Sequence, residues 1–318
     1  MEKREMWACI SMACGMYFSK IDRMIKGLGS IENIIYASKN EFIEKGGLNL
    51  EEADKLIKHI KQFNVDRFLE QLRKDGIKFV SADDENYPVK LMPYSHKPYF
   101  LFYKGKLPDD EMPSVAMVGA RACSNYGRNV AKELGRELAK NGVQIISGMA
   151  RGIDTYSQLG ALEGSADTFA VLGSGVNVCY PTENIELYND IVKNGGIISE
   201  YPPDSRPEGW HFPQRNRIIS GLSDKVVVIE ARENSGSLIT VEWALEQGKD
   251  IMAVPGRIGE HLSQGCNKLI RSGAGIVTSK EDIISDLKIK TFNDVNKNTT
   301  KEKTLEKEFL LLYSELGL

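Results

Sequence analysis

The sequence predicts an α/β fold: an extended, doubly wound, mostly parallel Rossmann-like sheet preceded by a small all-helical unit. Three observations predict it. From Val115 onward, short Val- and Ile-rich runs alternate with helix-period segments, and a glycine-bearing loop follows nearly every run. Those runs are apolar on consecutive residues, as strands buried on both faces must be, which puts helices on each side of a parallel sheet. Residues 1–75, by contrast, carry apolar residues at helical spacing.

Within residues 1–75, MIKGLGSIENIIYAS and LNLEEADKLIKHIKQFNVDRFLEQLRKDG read as short amphipathic helices. Asn49 to Glu52 looks like an N-cap followed by acidic first-turn residues. Such a bundle is either a packing domain or a module that touches nucleic-acid backbone. Residues 76–288 form the main domain, with 76–112 as a connector. There GIKFVSADDENYPVKLM reads as strand, loop and turn, and PYSHKPYFLFYKG is suited to covering a sheet edge. The strands are SVAMVGA, VQIISGMA, DTFAVLGSG, GIISEYP, KVVVIEA, DIMAVPG and IVTS, six or seven in all. The helices between them begin near GRNVAKELG, IDTYSQLG, ENIELYND, RNRIISG, SLITVEWA, CNKLIRSG and KEDIISDL. A sheet of this kind offers a ligand crevice at the carboxyl ends of its strands. Residues 289–304 are polar and aperiodic, a linker. The rest of 289–318, LEKEFLLLYSELGL, reads as one amphipathic helix that either docks on the main domain or begins a further domain.

Composition narrows the function. With 318 residues, 42% hydrophobic and 27% charged, the chain is ordinary globular protein. No apolar run approaches the roughly 18–20 residues of a membrane span, and MEKREMWACISMACGM mixes acidic with basic residues, unlike a secretory signal. A cytoplasmic protein without a membrane partner is expected. Five scattered cysteines without a CxxC pair, and four dispersed histidines, argue against structural zinc and for reduced thiols. Net charge is −3, and residues 115–280 hold 17 basic and 18 acidic side chains. A polyanion would have to be held by local placement of arginines.

Such placement exists. Gly119-Ala120-Arg121, Ser147-Gly148-Met149-Ala150-Arg151-Gly152, Gly173-Ser174-Gly175, Asn234-Ser235-Gly236-Ser237 and Pro255-Gly256-Arg257 each follow a predicted strand. One such loop is ordinary turn chemistry, but five on one rim point to an anion or nucleotide site, because glycine lets backbone amides approach a ligand. The first, VGARACSNYG, lacks the G-x-G-x-x-G spacing and carries an arginine where a pyrophosphate needs glycine; no G-x-x-x-x-G-K-[ST] loop occurs. An arginine at a strand end beside helix-start amides suits a phosphodiester. In HFPQRNRIISG, Arg215, Asn216 and Arg217 open a helix, either as exposed N-terminal residues or with one arginine on phosphate and its neighbour on a base edge or a structural carboxylate. No nucleophile elbow is present, His211 reads as structural, and Asp83-Asp84-Glu85 as a solvated loop.

Taken in order, VGARACSNYG, SGMARGIDTYSQLGAL, AVLGSGVNVCYPTEN, ISEYPP, FPQRNRIISGLSD, ARENSGSLITVEWALEQGKD, AVPG and QGCNKLIRSGA resemble the DNA processing protein A (DprA, also called Smf) family of bacterial recombination mediators. The N-terminal helices look like that family's small sterile-alpha-motif-like or helix-hairpin-helix domain. The resemblance implies a non-catalytic, cofactor-free homodimer that binds and protects incoming single-stranded DNA in natural transformation and loads RecA recombinase onto it. It implies a DNA contact at Arg121, in a pocket lined also by Gly119, Ala120, Ser147, Gly148, Arg151, Gly173, Ser174, Arg215, Asn216 and Arg217. It places the dimer and RecA-facing edge along 262–274, including Leu262, Cys266, Asn267, Leu269 and Ile270. Ala120 stands where the family has Ser or Thr, and Thr182 where many relatives have a basic residue, which would either weaken phosphate binding or shift it to Lys193, Lys225 or Arg151. Many relatives end in a winged-helix domain, of which the 289–318 segment would be a shortened start.

One enzyme class shares the architecture, the lysine-decarboxylase-like phosphoribohydrolases, with a P-G-G-x-G-T-x-x-E loop. Residues 234–242 keep a glycine, Thr240 and Glu242 but lack the double glycine, and Glu242 suits a helix first turn.

Overall fold

The computed structural model describes residues 1–13, 15, 17–285 and 287, so the linker and terminal helix expected over 289–318 lie outside the described residues. The chain opens with helices α1 (Lys3–Ser11), α2 (Phe18–Leu28), α3 (Ile31–Tyr36), α4 (Lys39–Glu44), α5 (Leu50–Gln62) and α6 (Val65–Lys74). Side-chain caps fix their starts: Ser30, Ser38, Asn49 and Asn64 each accept an amide hydrogen bond from the first turn. Asn49 is the N-cap that the sequence pointed to, and with Glu52 it closes a capping box.

The connector contributes two strands, β1 (Lys78–Ser81) and β2 (Phe100–Gly105). The aromatic stretch expected to cover a sheet edge is therefore itself part of the sheet: β2 pairs antiparallel with both β1 and β6 (Gly195–Ser199). The doubly wound part runs β3 (Ser114–Val118), α7 (Asn125–Lys140), β4 (Gln144–Ser147), α8 (Ile153–Glu163), β5 (Thr168–Val171), α9 (Ile185–Lys193) and β6. It continues α10 (His211–Gly221), β7 (Lys225–Val228), α11 (Leu238–Glu246), β8 (Asp250–Ala253), α12 (Gln264–Arg271), β9 (Gly275–Ile276) and α13 (Lys280–Ile284). Among the described residues the strands form one sheet ordered β1-β2-β6-β5-β4-β3-β7-β8-β9, parallel from β6 to β9. The chain winds outward from β3 to β6, returns, and winds the other way from β7. The switch point between β3 and β7 opens a crevice at the carboxyl ends.

Alternation along the strands feeds two cores. Val115 and Met117 face α7 and α8, where Leu134, Leu138 and Ile153 pack, whereas Ala116 and Val118 face Ile218, Ile219 and Val241 of α10 and α11. At the β2 end the helical unit shares a core with the sheet: Trp7, Ile10, Phe42 and Leu56 join one cluster with Phe79, Phe102 and Ile197. Trp7 stacks on Tyr99 with ring centroids 5.1 Å apart and donates its indole N–H to Asp83 at 2.6 Å. Asp84 accepts from the Ser81 amide and hydroxyl. The acidic loop read as solvated is thus a fastening between the helical unit and β1.

Candidate nucleic-acid interface

The crevice is a groove of about 730 Å³. The loop after β3 (119–122), Ala150 from the β4–α8 turn, Asp154 from the first turn of α8, Tyr180, Phe212, Arg215 and Asn216 from α10, and the β7–α11 loop with Arg232 and 234–237 line it.

The first loop is held by a residue that the sequence reading passed over. Glu230, just past β7, accepts from both the amide and the hydroxyl of Ser124, while its own carbonyl accepts the Ala120 amide at 2.7 Å. Ser124 in turn caps α7 by accepting the Gly127 amide at 3.1 Å. Two of the helix-start amides expected to meet a phosphate, Ser124 and Gly127, are therefore satisfied internally, and a side-chain carboxylate already sits at the positive end of the α7 dipole. A β-carbon at Gly127 would overlap the Glu230 carboxylate. Gly127→Ala is accordingly expected to unseat Glu230 and lower stability by about 1–3 kcal/mol. Chemical denaturation reads this, and a midpoint equal to wild type would show that the Glu230 seat does not matter.

The floor is charged but spoken for. Arg215 is buried; one Nη donates to the carbonyls of Gly148 and Val171, and Nε donates to Asn216 Oδ1 at 3.1 Å. Burial pulls its guanidinium down to about 10, with neighbouring Asp154 pushing the other way and Arg121 adding to the fall, so it stays cationic at neutral pH. Burial raises the Asp154 carboxyl, opposed by Arg215 and by the amides of Ala150 and Gly148 that it accepts.

The mouth is different. Arg121 is exposed and its guanidinium lies 5.3 Å from the centre of the Phe212 ring, on whose neighbourhood Tyr180 also closes at 5.6 Å. Arg232 is exposed and also lines the groove. The amides of Arg121, Ala122, Asn234 and Gly236 meet no acceptor among the described residues.

Of the residues singled out from sequence, Gly119, Ala120, Arg121, Arg215 and Asn216 line the groove. Of the other residues placed in the pocket, all but Arg151 correct the expectation. Ser147 is buried and donates to the Met117 carbonyl at 2.7 Å, tying β4 to β3, and Ser174 donates to Val178 at 2.9 Å. Gly148 lies under the Arg215 guanidinium and Gly173 under the Phe212 ring, each too close for a β-carbon. They support the floor rather than face a ligand. Arg151 stands at the lip, paired with Glu183. Arg217 points away: it is 1% exposed, donates to both Glu200 oxygens at 2.6 and 2.8 Å, and lies 4.5 Å from the Phe18 ring. Lys225 begins β7 and Lys193 ends α9, so both sit at the amino ends of the strands; of the three cations considered in place of a basic residue at 182, Arg151 alone is at the rim. On the supposed edge, Cys266 of α12 is fully buried and Asn267 is bonded to both backbone groups of Gly256, while Leu269 and Ile270 pack partly into the core and Leu262 lines the groove instead. His211 is structural, its Nδ1 bonded to the Gly173 carbonyl at 2.9 Å.

Tyr180, Phe212, Arg232 and Glu230 were missed. An aromatic three residues before an arginine at the start of α10 was the available signal for Phe212; nothing local marked Glu230, which acts across 106 residues.

A mostly parallel α/β sheet whose switch-point groove carries exposed arginine and open amides defines a Rossmann-like anion-binding protein. A family model described as DNA recombination-mediator protein A matches residues 78–288. DNA processing protein DprA of Streptococcus pneumoniae is 44% identical over 217 residues, 68% of this chain and 77% of that protein. Its X-ray structure superposes with a TM-score of 0.77 at 34% identity, covering 91% of this chain and 99% of the other. DNA processing protein A of Helicobacter pylori, described for its unique single-stranded DNA binding mode, superposes with a TM-score of 0.59 at 32% identity, over 66% of this chain and 94% of its own. The chain belongs to the DNA recombination-mediator protein A family.

Proposed function

We propose that the groove holds single-stranded DNA and that the protein serves as a recombination mediator in natural transformation, making or breaking no covalent bond. The observation that carries this is Arg121 laid against Phe212 in the groove, which Arg232 also lines. Two guanidinium groups and open amides suit phosphates, while the Phe212 and Tyr180 faces suit bases, a pairing that grips a strand without reading its sequence. The single-stranded DNA binding of the Helicobacter pylori relative supports the same reading. The hydrolase alternative is not favoured: Glu242 is exposed on α11 and is not among the groove residues.

The same proposal includes delivery of the strand to RecA, a homodimer built on the Rossmann-like domain's edge, a cytoplasmic location and no requirement for a cofactor. Among the described residues no helix is long and apolar enough to cross a membrane.

The test is a titration of labelled oligo-dT across salt concentrations. Each neutralised phosphate contributes about −0.7 to the slope of log affinity on log salt, so two arginines give about −1.4. A salt-independent affinity, or release of free base from nucleoside monophosphates, would overturn the proposal.

A further inference from the structure

Arg151 and Glu183 join the two loops that make one wall of the groove. Arg151 follows Ala150 and Glu183 lies three residues past Tyr180, and both Ala150 and Tyr180 line the groove. The carboxylate takes Nε and Nη2 of the guanidinium together, the latter at 2.8 Å. That is the edge a phosphodiester would use, since phosphate and carboxylate compete for the same two-pronged geometry. The pair stands in water, with side chains 59% and 52% exposed. The guanidinium holds the Glu183 carboxyl below its ordinary range, so the mask stays charged at neutral pH. Exposed ion pairs contribute little to stability, so exchanging one anion for another on Arg151 disturbs little else.

We propose that Glu183 sets the affinity for the strand by masking Arg151, a phosphate contact that DNA gains only by displacing the carboxylate. The inference rests on the groove being the DNA site. In the wild-type protein the phosphate that meets Arg151 releases its counterion, but the freed carboxylate takes one up, so the contact is nearly silent in the salt dependence. Glu183→Gln removes the competing charge and keeps the side chain's shape.

The experiment compares labelled oligo-dT binding by wild type, Glu183→Gln, Arg151→Ala, the double variant and Arg121→Ala over a salt series. Glu183→Gln is expected to bind about threefold tighter, with a salt slope steeper by about 0.7. In the Arg151→Ala background the same substitution is expected to leave the slope unchanged. An unchanged Glu183→Gln variant overturns the inference. So does a gain that survives loss of Arg151, which would mark a general field effect of the carboxylate. If Arg121→Ala binds like wild type, the groove itself is not the site and the inference falls with it; if Arg121→Ala binds poorly and Glu183→Gln is unchanged, only the mask is wrong.

Discussion

Arg121→Ala is expected to weaken oligo-dT binding by about 10- to 100-fold, the range of one or two lost hydrogen bonds to a charged partner, and to leave the melting temperature unchanged. The two halves of this expectation have separate causes. Arg121 is exposed and its guanidinium lies against the Phe212 ring, so the fold does not depend on it. Its position, by contrast, is dictated by the fold. The Ala120 amide is locked to Glu230 and the Ala120 carbonyl accepts the Ile153 amide at 3.2 Å, so the backbone that launches Arg121 is fixed on both sides. Phe212 then limits where the guanidinium can go. A preplaced cation gives up little freedom on binding, which is why its removal should be felt strongly. Arg121→Lys should fall between the two, since an ammonium keeps the charge but neither the planar stack nor the paired donors. Wild-type affinity of Arg121→Ala in a gel shift at moderate salt would remove the main support for the groove as the DNA site.

How much of this was legible from the residues alone depended on range. The parallel sheet was legible because β3, β4, β5, β6 and β7 are apolar on both faces and follow each other at regular spacing. Gly119, Ala120 and Arg121 were legible because a strand end is a local event, and the loop chemistry there is written in consecutive residues. Whether a helical arginine faces the groove or the opposite side was not legible. Arg215 and Arg217 are two apart, roughly 200° around a helix axis, so their side chains necessarily diverge. The sequence shows both cations but not the carboxylate that claims one of them, Glu200, which arrives from the end of β6. The same limit hid Glu230 and the Glu183 partner of Arg151: each is an acid supplied by a different loop. Residues 93–105 were misjudged for a related reason. An edge-covering segment and an antiparallel strand inside the sheet both alternate and both carry aromatics, and only the partner strand β6 distinguishes them.

The second large effect expected is on folding, at Arg217. Its guanidinium is buried between α10, the end of β6 and α2, bonded to both oxygens of Glu200 and to the Gln214 carbonyl at 3.1 Å, with its flat face toward Phe18. It therefore ties the switch-point helix to the helical unit. Removing one member of a buried pair leaves the other charge without solvent or partner, which costs about 3–5 kcal/mol. Arg217→Met is expected to lose that much in urea denaturation. Because an apolar pair of similar volume needs no compensation, Arg217→Met combined with Glu200→Leu should recover most of the loss. The folded fraction of the single variant should bind oligo-dT as wild type does, since Arg217 is outside the groove. The opposite pattern, a stable Arg217→Met protein that no longer binds, would restore Arg217 to the DNA surface and require α10 to turn.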